Sequence, residues 1–150
     1  MKVGIGTQMV KLYELRKLQT EFPKAKISKA EDGYKFIKQF YGDDIEIYES
    51  FFILLMNRAN QTIGYAKISQ GGITGTVVDT KIIAKYAVDC LASGIVLAHN
   101  HPSGNLQPST QDLQLTKKLT EAMKLLDVSI LDHLIITTEG YYSFVENGKM

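Results

Sequence analysis

A single α/β domain, with a central mixed β-sheet flanked by helices, is the fold class this 150-residue sequence predicts. Three observations carry it. Apolar segments of strand length alternate with amphipathic segments of helical period. One run, Ile95-Val96-Leu97-Ala98, is apolar without interruption, as suits a strand covered on both faces. The composition, 45% apolar and 22% charged residues, is that of an ordinary globular chain long enough to enclose one core.

Each element can be placed in turn. Residues 9–18 fit a strand or a short helix, and Pro23 breaks the chain's regularity after it. Ser28 then opens a helix: Ser28 and Glu31 have capping-box spacing, Tyr34, Phe36, Ile37 and Phe40 supply an apolar face, and Gly42 ends it. Residues 51–56 and 63–68 are strongly apolar, and the polar, Asn-containing break at 57–61 reads as a hairpin turn. Gly71, Gly72 and Gly75 read as a flexible loop; they lack the GxGxxG spacing of a dinucleotide site and no P-loop Gly-Lys-Ser/Thr comes after them. Asp79 caps a second helix whose buried side carries Ile82, Ile83, Tyr86, Ala87, Cys90 and Leu91, and Gly94 stops it. After the strand at 95–98 and a loop at 100–108, a third helix begins at Ser109 and runs to about residue 126. Leu113, Thr116, Leu119, Met123 and Leu126 lie on one side of it. Two β-rich segments, 128–131 and 133–137, come next, and 141–145 adds an edge strand. The chain thus divides into a leader with one helix, residues 1–45, packed on or preceding the domain, and the domain itself, residues 46–150.

Whole-chain features exclude several functions. A net charge of +1, from 17 basic and 16 acidic residues, does not suit a protein built to coat a polyanion. The lone Cys90 cannot form an intramolecular disulfide and sits on an apolar helical pattern, as a small core residue does. No run reaches membrane-span length, and the start, MKVGIGTQMVKL, lacks the apolar core of a signal peptide. A cytoplasmic protein with no membrane partner is the expectation.

The chemistry-bearing stretch is HNHPSG at 99–104, with STQD at 109–112 beyond it. In an extended chain His99 and His101 point to one side while Asn100 points away. They come just past a buried strand, where α/β proteins place their active sites. Pro102 and Gly104 then turn the chain, and the first turn of the third helix presents Asp112. Two imidazoles and a carboxylate leave a tetrahedral zinc one open position, the catalytic rather than the structural pattern. Ser109 and Asp112 equally have capping-box spacing, and HxH pairs are often incidental, so spacing alone leaves both readings open. His133, following Asp132 in an apolar strand, has two readings, a hydrogen-bonding partner near the site and a satisfied, half-buried structural histidine, of which the second is the better. A zinc deaminase needs HxE with PCxxC, which one cysteine excludes.

The spacing His99-x-His101-Pro102, six residues, Ser109-x-x-Asp112 resembles the metal-binding signature of the JAMM metalloproteases, also called MPN or JAB. The string HNHPSGNLQPSTQD, with LLDVSILDHLIIT downstream and YYSFVENG near the end, resembles the bacterial RadC subgroup, over roughly residues 46–148. The resemblance implies a cytidine-deaminase-like three-layer arrangement. It implies zinc as the cofactor, with His99, His101 and Asp112 as ligands, and Ser109 positioning water or stabilising an oxyanion. It also implies a general-base glutamate at the start of an upstream strand, which Glu49 fits, with Glu46 as the fallback. The activity implied is hydrolysis of an amide bond in a peptide or protein. Eukaryotic-type relatives cut isopeptide bonds to ubiquitin, a substrate that nothing in this sequence identifies. The alternative is a DNA-repair-associated accessory or binding module with a mainly structural metal. RadC proteins often carry a helix-hairpin-helix segment ahead of this domain; the leader here shows no clear one, and the charge does not support DNA association.

Overall fold

A computed structural model describes residues 6–12, 17–72 and 75–150. The segment expected at residues 9–18 includes residues 13–16, which lie outside the described residues; 9–12 and 17–18 carry no regular structure.

Helix α1 (Ala30–Ile37) starts one residue later than a Ser28 cap requires. Lys29 is the N-cap, and Asp32, not Glu31, is the capping acid: its Oδ2 accepts from the backbone N–H of Ser28 at 2.9 Å and of Lys29 at 3.1 Å. Glu31 pairs on the surface with Lys35 instead. A 3-10 turn at Lys38–Phe40 continues the helix, and a second occupies Asp43–Glu46. Strands β1 (Glu49–Met56) and β2 (Thr62–Gly71) then form the expected hairpin. Its turn is closed by Asn60 in the left-handed region, φ 57°, and by Asn57 Oδ1 accepting from Ala59 and Gln61.

Helix α2 (Thr80–Asp89) is capped by Asp79, whose carboxylate accepts from Lys81 N–H at 2.8 Å. Ile83 and Ala87 are buried, with Tyr86 and Cys90 packed against them in part. Ile82 and Leu91, assigned to the same face, are exposed: the helix ends at Asp89, and Leu91 takes a left-handed turn that removes it from the helical stripe. Gly94 opens β3 (Gly94–Asn100) rather than stopping the helix; a Cβ there would come within 2.8 Å of the Leu131 side chain. Helix α3 (Thr110–Lys124) buries Thr116, Leu119 and Met123, and leaves Leu113 and Leu126 partly outside. The two β-rich segments expected next are one strand, β4 (Ser129–Ile136). Asp132, which divides them in sequence, is accommodated because its carboxylate accepts from His133 N–H, Val145 N–H and the Ser143 hydroxyl. Strand β5 (Tyr141–Ser143) closes the edge.

The sheet order is β2-β1-β3-β4-β5, with β3 and β4 parallel and the other pairs antiparallel. On one face Phe51, Ile53, Leu55, Ile95 and Leu97 pack against α2 and α3. On the other, Leu54, Met56, Val96, Ala98 and Leu134 pack against α1. This is a three-layer arrangement, and the central β3 is buried along its whole length, which is why it reads as an unbroken apolar run. Each such fully buried aliphatic side chain stabilises the fold by about 1.5–3 kcal/mol. Among the described residues, no helix is long and apolar enough to cross a membrane.

Candidate metal centre

The end of β3 sets the geometry. His99 follows Leu97 onto the α2–α3 face, and Asn100 follows Ala98 onto the α1 face. His101, one step beyond the strand, keeps the extended course because its N–H donates to Ile136 O. Gly104, at φ 84°, donates to His101 O and reverses the chain toward α3. The polar cluster therefore stands at the carboxyl ends of the parallel strands β3 and β4, where the crossover helix begins.

His99 Nε2 and His101 Nε2 lie 3.0 Å apart, and each is 3.3 Å from a different oxygen of Asp112. The remaining nitrogen of each ring is engaged elsewhere. His101 Nδ1–H donates to Asn105 O at 2.6 Å, and His99 Nδ1 lies 2.7 Å from His133 Nε2. With the Nδ1 positions protonated, both Nε2 atoms present lone pairs, and so does the carboxylate. Three ligating atoms converging at 3.0–3.3 Å need a positive centre among them, either a proton on an imidazole Nε2 that donates to Asp112 or a metal cation in its place. A tetrahedral ion with ligand bonds of about 2.0–2.1 Å needs ligand atoms roughly 3.3 Å apart, and these three residues fit that demand.

The electrostatics describe the metal-free state, in which a proton on an imidazole Nε2 stands where a metal cation would. Burial works against the ionised form of Asp112, but hydrogen bonds from His101 and His99 outweigh it and hold the carboxyl far below the usual carboxylate range. Burial likewise opposes charge on His101, yet Asp112 and the Asn105 carbonyl prevail and raise it above the ordinary histidine value. For His133 burial dominates, with repulsion from His99 added, and it is pushed well below that value.

Glu49, the first residue of β1, brings a carboxylate oxygen within 4.8 Å of ligand atoms on His99 and His101. Glu49, His99 and His101 thus form a candidate metal-binding triad, and Asp112 approaches the same two imidazoles from α3. Ser109 and Asp112 form the capping box: Ser109 Oγ accepts from Asp112 N–H at 3.0 Å, and Asp112 Oδ2 accepts from Ser109 N–H at 2.8 Å. The cap and the cluster coexist, because the hydrogen bond that caps α3 also aims the Asp112 carboxylate at the imidazoles. Glu46 lies in the second 3-10 turn, outside the cluster. An open groove of about 760 Å³ runs past the cluster between Gln70 and Gly71 of β2, Val77, and Gln111 of α3.

Two contributors escape a reading by spacing. Asn100 is fully buried; its Oδ1 accepts from Ser50 N–H at 2.7 Å and its Nδ2 donates to Ile45 O and Tyr48 O at 2.6 and 2.8 Å. It clamps the residues on either side of Glu49. His133 is fully buried rather than half-buried, and its ring bonds to His99 and to Thr116 Oγ1. The two-residue spacing in HNH hinted at the first; for the second a hydrogen bond near the site was the lesser of two readings, and no local spacing identified His99 as its partner, since β3 and β4 are joined by a 28-residue crossover.

The RadC-like JAB domain profile matches residues 27–149. A "UPF0758 protein" of Flavobacterium johnsoniae is 45% identical over 123 residues, 82% of this chain and 53% of the relative. One of Porphyromonas gingivalis is 41% identical over 119 residues, 79% of this chain and 52% of the relative. The chain spans about half the length of these curated relatives.

Proposed function

The chain belongs to the RadC-like JAB domain family, and from that premise we propose that it is a zinc-dependent hydrolase that cleaves an amide bond in a peptide or protein substrate. One observation carries the proposal: three lone-pair-bearing groups, His99 Nε2, His101 Nε2 and the Asp112 carboxylate, converge at 3.0–3.3 Å beside an open groove. Two nitrogens and one carboxylate suit zinc, and three protein ligands leave one position open.

His99, His101 and Asp112 would hold the ion. When bound, zinc supplies a Lewis acid that polarises the amide carbonyl and makes water acidic enough to attack near neutral pH. Glu49, beside the two imidazoles, takes the proton of the attacking water and delivers it to the departing amine nitrogen as the C–O bond forms and the C–N bond breaks. Ser109 uses an Oγ lone pair on Asp112 N–H and so retains its hydroxyl proton, which it donates to the carbonyl oxygen as charge grows there. The groove floor supports an extended peptide. Gln70 and Gly71 lie at the end of β2, an edge strand whose outer backbone suits pairing with a substrate chain.

The test is zinc stoichiometry together with cleavage of a peptide library by the parent and by Glu49→Gln. The parent is expected to bind one zinc, and the variant to keep it while losing about 10²–10⁴-fold in rate. Unchanged cleavage by the variant removes Glu49 from the mechanism, and a parent that binds no zinc overturns the proposal.

A further inference from the structure

We propose that His133 is a positioning residue of this centre: with Thr116 it forms a hydrogen-bonded relay, running from the backbone of α3 to His99, that fixes which nitrogen of His99 faces the metal. The inference rests on the zinc reading and names a residue that reading does not need.

The direction of the relay comes from counting protons. Thr116 Oγ1 has one hydrogen and donates it to Asp112 O at 2.7 Å, one helical turn back. Its contact with His133 Nδ1 at 2.6 Å must then be an acceptance, which places the His133 proton on Nδ1. A neutral imidazole with Nδ1–H has an unprotonated Nε2, and that atom lies 2.7 Å from His99 Nδ1. His99 therefore carries its proton on Nδ1 and turns a bare Nε2 to the cluster. Reversing the Thr116 hydroxyl reverses every link and puts a proton on His99 Nε2, where it blocks a metal. The Asp112 carbonyl is what selects the productive direction.

The relay is also a closed circuit. Asp112 supplies the carboxylate of the cluster and the carbonyl that starts the chain of donors, so one residue at the start of α3 orients two ligands at once. His133 is held for the task by its neighbours. Phe144 stacks on its ring at 4.5 Å and Phe51 meets it edge-on at 5.6 Å, which fixes the ring plane while adding no competing hydrogen bond. A side chain needed only to fill this space would be aliphatic or aromatic, because a buried imidazole must find partners for both nitrogens. Metal-binding histidines commonly donate their second N–H to an outer partner, usually a carboxylate, carbonyl or water. Here His101 uses the Asn105 carbonyl in that way, and His99 uses a second, neutral imidazole.

Long-range ¹H–¹⁵N correlation spectra of the parent protein read the tautomers directly, with and without zinc. The expected result is His133 protonated on Nδ1 in both states, and His99 protonated on Nδ1 when zinc is bound. A proton on His133 Nε2 overturns the inference. Chelator competition for zinc gives the second reading, expected to show about a 10–100-fold loss for His133→Leu, about tenfold for Thr116→Val, and recovery to within about threefold of the parent for His133→Gln. The Gln amide can accept from His99, so rescue by Gln over Leu is the signature of positioning. A packing role reverses the order, since Leu suits an apolar pocket better. Equal affinities for Gln and Leu, or a Leu variant within about threefold of the parent, also overturn the inference. If His133→Leu does not fold, Thr116→Val and the parent spectra decide. A parent that binds no zinc is instead the failure of the reading beneath.

Discussion

His99 and Asn100 are adjacent on one strand, both buried and both polar, yet the fold treats them in opposite ways. Asn100 faces α1 and satisfies its amide with three backbone partners, Ser50 N–H, Ile45 O and Tyr48 O. His99 faces α3 and ends in a cluster where two imidazole Nε2 atoms and a carboxylate converge, with more lone pairs than protons to fill them. A saturated buried polar group is scaffold; it specifies where the chain goes and has nothing left to offer a ligand. An unsaturated one is retained at a cost that only binding offsets. The alternation of a β-strand puts the two kinds back to back, so the scaffold group on one face holds Glu49 beside the reactive group on the other.

The largest effect is expected from attacking the scaffold side. Asn100→Ala leaves one buried donor and two carbonyls without partners, a loss of about 3 kcal/mol in stability. Asn100→Asp is nearly isosteric but sets an oxygen against both carbonyls, and is expected to be no better than Ala. Chemical denaturation measures both. If Asp proves as stable as the parent, Asn100 is not the clamp described, and the contrast with His99 collapses. The clamp also predicts that surviving Ala protein keeps its zinc and loses cleavage, because Glu49 is released while the ligands stay.

How much of this was readable beforehand depends on the range of the interaction. The hairpin, the Asp79 cap, the buried β3 and the HxH spacing are local patterns, set by side-chain period and turn chemistry, and the structure carries all of them. Asp132 made one strand look like two because its partners, Ser143 and Val145, lie on the next turn of chain. Leu91 looked buried because helical period was extended two residues past the true end of α2. Within the site, the facing of His99 and His101 comes from alternation, and the approach of Asp112 from the first turn of a helix. The links from His99 to His133 and from Asn100 to Ile45 cross between elements far apart in sequence, and no period encodes them.

A second, smaller effect sharpens the reactive side. In the metal-free protein His101 is raised above its ordinary value of about 6.5 and Asp112 is held below its ordinary value of about 3.9. The raised histidine contributes stability fully present below about pH 6.5 and lost as pH climbs through its folded pKa. The depressed carboxyl contributes stability present above about pH 3.9 and lost as pH falls through its folded pKa. The metal-free pair is thus most stabilising between those limits. Zinc must displace the His101 proton, so its affinity is expected to rise by up to about a decade per pH unit until that pKa is passed, then level off. Competition titrations between about pH 6 and 8 measure the slope. A flat profile would mean that His101 surrenders no proton and is not a ligand.

The smallest effect compares two helix caps. Asp79 on α2 and Ser109 on α3 each accept one backbone N–H, at 2.8 and 3.0 Å, and removing either is expected to cost about 1 kcal/mol in stability. Their surroundings differ. Both are exposed, but Asp79 accepts from Lys81 at the start of its own helix, whereas the N–H that Ser109 accepts belongs to Asp112, and Ser109 borders the groove. Asp79→Ala should therefore lower the melting temperature and leave zinc affinity and cleavage unchanged. Ser109→Ala should lower the melting temperature by a similar amount, weaken zinc a few-fold by loosening Asp112, and reduce cleavage by more than the lost zinc explains. The excess is the part owed to the hydroxyl proton, and it should persist when zinc is saturating. If the two variants behave alike in all three measurements, Ser109 is a cap and nothing more.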